Sequence, residues 1–105
     1  MSEKIQQLQL IEQNSQQILK QKQQFQAEQL EIDSALHNLK ESHESYKIIG
    51  NIMVKLSREA LEKELNSKKD IVELKLKTLE KQEEKLREKA KSLRKDVLKN
   101  VEKND

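Results

Sequence analysis

Residues 44–56, Glu-Ser-Tyr-Lys-Ile-Ile-Gly-Asn-Ile-Met-Val-Lys-Leu, are written in a different idiom from the rest of the chain. On both sides lie long tracts of Gln, Glu, Lys and Leu. Inside, Tyr46-Lys47-Ile48-Ile49 and Ile52-Met53-Val54-Lys55-Leu56 are runs of β-branched and apolar residues, the composition of strands. Gly50-Asn51 joins them, and Gly50 is the single glycine of the chain. Glycine at the first turn position suits a two-residue type II′ hairpin turn, and Asn51 tolerates φ > 0 if the turn is type I′. This turn sets 49 opposite 52, 48 opposite 53 and 46 opposite 55. One face then carries Ile49, Ile52, Val54 and Leu56, the other Tyr46, Ile48 and Met53. Both faces are apolar, both edges are unpaired, and a lone hairpin is marginal in water. No further strand is written anywhere in the chain. The hairpin therefore reads as an assembly element that joins a sheet or barrel built from several chains. The alternative is a hairpin folded back on its own helices. Neither helix keeps a wide enough spare apolar face near 36–42 or 58–65 to receive it.

Working outward, both flanks carry a 3.5-residue repeat. With Leu8 at a, the a and d positions run Leu8, Ile11, Ser15, Ile18, Lys22, Phe25, Gln29, Ile32, Leu36, Leu39. Every d position is apolar. The second flank gives Leu65, Lys69, Val72, Leu76, Leu79, Glu83, Leu86, Ala90, Leu93 and Val97. Sustained heptads of this kind argue for a coiled coil over disorder. The 11 Gln between Gln6 and Gln29 read as a solvated helix face, since Gln is a fair helix former. Lys40 to Ser45 reads as a polar exit loop. Ser57 is the expected N-cap of the second helix, with Glu59 favoured in its first turn. Glu59–Lys63, Glu64–Lys68, Glu73–Lys77 and Glu83–Arg87 are i,i+4 pairs that add modest support.

Composition closes off other classes. The chain has 105 residues, no Pro, Cys or Trp, 2% aromatics and 38% charged residues. That is too little bulky apolar surface for an ordinary globular core, but enough for a narrow seam. Without Cys there is no disulfide or thiolate chemistry. Residues 1–10 lack the basic and apolar regions of a signal peptide, and no apolar run approaches the ~20 residues of a membrane span, so a cytoplasmic protein away from membranes is expected. Residues 1–45 carry net −3 and residues 60–105 net +3. The basic half is interleaved with acids, unlike the stripe of a nucleic-acid binder, whose affinity would be salt-sensitive. His37 and His43 stand apart without a Cys partner, so no metal site is expected, nor any cofactor. No catalytic constellation is present, and an enzyme is not expected. One glycine cannot build a phosphate loop.

The stretch Tyr46-Lys47-Ile48-Ile49-Gly50-Asn51-Ile52-Met53-Val54-Lys55 resembles the central hairpin of prefoldin β subunits, a Tyr-Lys, two residues, Gly-Asn and then an apolar strand. Leu79-Glu80-Lys81-Gln82-Glu83-Glu84-Lys85-Leu86 is similar to a Leu-Glu-(Lys/Arg)-Gln-Glu-Glu stretch of their second helix, and the Gln-rich opening from Gln6-Gln7-Leu8 is similar as well. The resemblance covers essentially the whole chain and looks most like the archaeal β type. The segment Ser42 to Ser45 departs from it in being shorter and less acidic. It implies one prefoldin-like domain over 1–105, with helix 1 over 1–41, loop and hairpin over 42–57, helix 2 over 58–102 and a frayed tail at 103–105. The fold is then mainly α, a long antiparallel two-helix coiled coil whose central β-hairpin joins an intersubunit β-barrel. The resemblance further implies a hexamer of two α and four β subunits, with six coiled coils as arms. The arm tips hold unfolded proteins and pass them, without ATP, to a group II chaperonin.

The residues agree with this picture. Helices of about 40 residues reach roughly 60 Å at 1.5 Å per residue. Facing residues should sum to about 101, as they do in the hairpin, setting Phe25 against Leu76, Ile18 against Glu83 and Leu8 against Leu93. Ser15, Lys22, Gln29, Lys69 and Glu83 interrupt the seam, which costs stability, fixes register and leaves a coil able to flex. Near the chain ends, Ile5, Leu10, Leu98 and Val101 are apolar yet fall off the seam. With Leu8, Ile11, Leu93 and Val97 they form more apolar surface than a two-helix seam consumes, which marks an interaction surface where unfolded clients would bind. The plainer reading is a closed or frayed coil end. The assembly set is Tyr46, Ile48, Ile49, Gly50, Asn51, Ile52, Met53, Val54 and Leu56. A structural coiled-coil adaptor, docking its hairpin into a fixed partner and binding no clients, is the competing function.

Overall fold

A computed structural model of the chain describes residues 2–41 and 44–103. His43, and positions 104 and 105 of the expected tail, lie outside the described residues. Two long helices bracket one hairpin in the order α1 (Ser2–Glu41), β1 (Ser45–Ile49), β2 (Ile52–Leu56) and α2 (Arg58–Lys103). The fold is mainly α, as the heptads require.

The chain forms two compact units: residues 24–76 make one, and the stretches up to residue 23 and from 77 onward make the other. In each unit the helices run antiparallel. In the first, Asp33 meets Lys69 and the ammonium of Lys75 sits 5.2 Å over the Phe25 ring. In the second, Lys4 meets Asp96 and Lys22 meets Glu83. All ten seam positions assigned on each helix are buried or half-buried. None of the described side chains is completely enclosed, as expected when the core is one stripe wide.

In the unit of residues 24–76 the core is Ile32, Val72 and Leu76, with Phe25, Leu36 and Leu65 packed on it. Asp33 with Lys69 and Lys4 with Asp96 lie within one residue of the expected facing sum, whereas Glu83 is engaged by Lys22, four residues on from the Ile18 expected opposite it. Leu76→Ala removes several methylenes from this narrow stripe. It is expected to cost about 2–3 kcal/mol, the low end for Leu→Ala because the site is near solvent. A thermal melt followed by circular dichroism checks it, and an unchanged midpoint would place Leu76 off the seam.

The helix ends explain where the elements stop. The Ala60 amide donates to Ser57 Oγ at 3.2 Å and the Leu61 amide to the Ser57 carbonyl at 3.1 Å. Ser57 is thus the N-cap of α2, satisfying one of the amides that a helix start leaves open. The other junction was not legible. Arg58 Nη2 donates to the carbonyl of Lys40 at 2.7 Å, so the first residue of α2 satisfies an end carbonyl of α1. The exit segment is correspondingly shorter than Lys40–Ser45, since α1 continues through Glu41 and β1 begins at Ser45.

The hairpin pairs Ser45 with Leu56, Tyr46 with Lys55, Lys47 with Val54, Ile48 with Met53 and Ile49 with Ile52. Gly50 has φ +61° and no non-glycine residue described has positive φ. Positive φ at the first turn position alone is the type II′ pattern and rules out type I′. Open space surrounds a Cβ built on Gly50, so any cost of substitution is backbone strain rather than a clash. Gly50→Val is expected to destabilise the hairpin by about 1–2 kcal/mol. Gly50→Asn, which tolerates positive φ, should lose less. Equal melting and assembly of Gly50→Val and the parent would show that the turn does not hold this geometry.

Candidate functional site

Two apolar surfaces stand open, one in each unit. The first is the hairpin, in the unit of residues 24–76. Its base is held: Ser45 is buried, Leu56 is half-buried, and the Lys47 ammonium hydrogen-bonds Glu64 Oε1 on α2. That hydrogen bond, more than the nearby charges of Lys47 and Lys68, holds the Glu64 carboxyl below the usual carboxylate range. Beyond this anchor the apolar side chains meet solvent. Ile52 is 67% exposed and Met53 64%, while Val54, opposite the anchored Lys47, is 36%. Ile48 and Ile49 are equally open, and Tyr46 is exposed on the Ile48 face. The Tyr46 hydroxyl donates to Glu44 Oε2 at 2.7 Å, a bond that raises the phenol's pKa. The structure thus brings all nine residues of the expected assembly set into one hairpin, and its apolar members are largely uncovered.

The second surface lies in the other unit. Ile5, Leu8 and Ile11 from α1 line a groove with Leu86 and Ala90 from α2. Ile11 and Ala90 form the buried floor, Leu8 and Leu86 are half-buried, and Ile5 is exposed. The expected tip set does not form one patch. Heptad position e of both helices lines this flank, with Ile5, Glu12 and Leu19 on α1 and Arg87 and Arg94 on α2. Leu98, exposed at position b, belongs to the same flank. Leu10 is exposed at position c, on the opposite flank, where Asn14, Gln17, Gln21, Gln82 and Lys85 rim a second groove over Ile18 and Leu86. Leu93 and Val97 are half-buried in the seam. The side chain of Val101 lies outside the described residues.

Sequence reasoning missed Leu19. It is half-exposed and lines the groove. The signal was present, since Leu19 follows Ile5 by two heptads and shares its position. Leu30, Ile71 and Leu74, exposed on outer helix faces of the other unit, were missed as well.

The polar seam residues are mostly paired. Lys22 Nζ lies 3.2 Å from Glu83 Oε1 with both side chains largely covered, and Arg87 reaches the same oxygen at 3.8 Å. Two interruptions of the seam thus answer each other across it. In the other unit Lys69 Nζ hydrogen-bonds Asp33 Oδ1 at 2.9 Å, which raises the lysine's pKa. Of the helix-surface pairs, Glu64–Lys68 forms at 3.9 Å and Glu83–Arg87 at 3.8 Å. Among the described residues no cluster of His, Asp or Glu is arranged to hold a metal, and no helix is long and apolar enough to cross a membrane. His37 is an exposed side chain 3.9 Å from Glu41.

The family described as "Prefoldin subunit" matches residues 2–104. A protein named prefoldin subunit beta from Archaeoglobus fulgidus is 40% identical over 84 residues, 77% of this chain and 72% of the relative. Another of that name from Pyrobaculum calidifontis is 41% identical over 75 residues, 69% of this chain and 60% of the relative. The crystal structure of the prefoldin beta subunit from Thermococcus strain KS-1 is similar with a TM-score of 0.89 at 31% identity, covering 94% of this chain and 90% of the other.

Proposed function

The chain belongs to the prefoldin subunit family, and from that premise we propose that it is a β-type subunit of an ATP-independent chaperone. It assembles through its hairpin with α subunits and further β copies, as a hexamer of two α and four β chains with an intersubunit β-barrel. It captures unfolded proteins in the unit formed by the two chain ends and hands them to a group II chaperonin in the cytoplasm. The observation that carries this reading is the groove of Ile5, Leu8, Leu19 and Leu86, apolar surface left open where the seam beneath it is already filled.

The physical logic is short. An unfolded chain exposes apolar segments, and covering them in the groove gains ~25 cal/mol per Å² removed from water. One groove is small and shallow, so one subunit binds weakly. Several subunits on one body raise the effective concentration of grooves around a client, and the hairpin supplies the body. No catalytic group is needed, because capture and release follow from many weak contacts.

The test is the suppression of aggregation. The assembled complex is added to several unrelated unfolded proteins diluted from denaturant, and light scattering is followed. Protection of all of them supports general capture. A complex that assembles fully yet protects none would be the structural adaptor instead.

A further inference from the structure

The groove carries both signs, Arg87 and Arg94 against Glu12 and Glu83, and only with the Lys22 that engages Glu83 is the local set net positive, by one. Arg87 and Arg94 line it from α2. Arg87 is drawn to Glu83, whose carboxylate is already engaged by Lys22. Arg94 has no ion pair among the described residues. Glu12 is the one acid on the α1 flank of the groove. The α2 stretch behind this surface, residues 84–99, carries seven Lys or Arg against three Asp or Glu. The opposite flank of the same unit is lined by Gln, Asn and a single Lys over Ile18 and Leu86, so it has an apolar floor as well but no guanidinium pair.

We propose that the groove selects apolar client segments that carry acidic residues, their leucine-like side chains covering Ile5, Leu8, Leu19 and Leu86 and their carboxylates engaging Arg94 and Arg87. This rests on the reading of the groove as the client surface and adds its substrate class. Guanidinium suits the task, because its planar fork grips a carboxylate in two-point fashion while its stem lies along apolar surface. Basic segments are disfavoured by the same field. Exposed pairs are individually weak, so the selection is graded rather than absolute and is screened by salt.

The test uses the full chain in its assembled form and three labelled peptides. They share one apolar core and are flanked by Asp, by Ser or by Lys. Fluorescence anisotropy reads their binding. At low salt the Asp-flanked peptide is expected to bind about tenfold tighter than the Lys-flanked one, and the gap should shrink as salt is added. Arg87→Gln with Arg94→Gln should bring the two within about twofold of each other. The double Lys variant, which keeps the charges, should retain the preference, and circular dichroism confirms that each variant folds. Equal binding by the parent protein, or a preference that survives Arg87→Gln with Arg94→Gln, overturns the selection and leaves the groove as a charge-blind client surface. Binding of none of the peptides overturns the client reading of the groove and this inference with it.

Discussion

Ile52→Asp is expected to leave the helices folded and to abolish assembly. In the single chain Ile52 is among the most exposed hairpin side chains, so a carboxylate there stays hydrated and costs the monomer little. In a barrel of hairpins the same carboxylate would be buried without a partner, which is unfavourable by about 3–5 kcal/mol at each such site. That is a loss of more than a hundredfold in association for every hairpin joined. Val54→Asp would weaken assembly too. Val54 lies opposite the anchored Lys47 and is already partly covered, so that change also disturbs the hairpin and mixes two effects. Size exclusion and native mass spectrometry after mixing with partner subunits read the outcome, with circular dichroism as the folding control. An Ile52→Asp chain that still enters a full hexamer would remove the hairpin from the interface.

The other large effect is expected at the groove. Ile5→Ser, Leu19→Ser and Leu98→Ser together should strip most client protection from an assembled complex. Each loses part of the ~1.5–3 kcal/mol that full burial of such a side chain is worth. About 1 kcal/mol apiece gives on the order of a hundredfold in affinity for one subunit. Avidity multiplies the loss over all the subunits holding one client. Leu10→Ser is the control, since Leu10 is as exposed but is not among the residues that line the groove. Deleting residues 1–11 and 94–105 should abolish protection altogether while the hexamer persists. Light scattering of a diluted unfolded client gives the protection, and size exclusion gives the assembly. Equal losses from Leu10→Ser and from the triple variant would mean that clients use the whole surface of this unit. Full protection by the deleted form would move capture elsewhere in the molecule.

The partition between what could be read early and what could not follows from the range of each interaction. The heptads from Leu8 to Leu39 and from Leu65 to Val97 repeat within one helix, so their buried stripe is a property of local spacing. Every one of those positions is buried or half-buried. The hairpin register follows from a two-residue turn, and Gly50 supplies the positive φ it needs. Ser57 caps α2 because a hydroxyl at that point reaches an amide three residues on. All of these are decided within a few residues of chain.

Other features depend on which residues of distant segments are set side by side. The sequence shows Lys22 and Glu83 as two separate blemishes in two seams, and only the packing of the helices makes them one ion pair. Arg58 reads as an ordinary first-turn residue until the end of α1 brings the Lys40 carbonyl to it. Lys47 reads as a strand lysine until Glu64 fixes the base of the hairpin. Ile5 and Leu10 look alike as off-seam apolar residues near one end, and nothing in their spacing to the seam says that the partner helix draws Ile5 into a groove lined by arginines and leaves Leu10 outside it. The sequence by itself determined two coiled-coil helices, their buried stripes, the hairpin and its turn, because these arise from periodicity and local backbone preference. The tertiary structure alone decided how the polar seam residues are neutralised, how the hairpin base is held, and which groove Leu19, Arg87 and Arg94 line together. Those depend on the register and rotation of one helix against another, which heptad phase within a single helix leaves free.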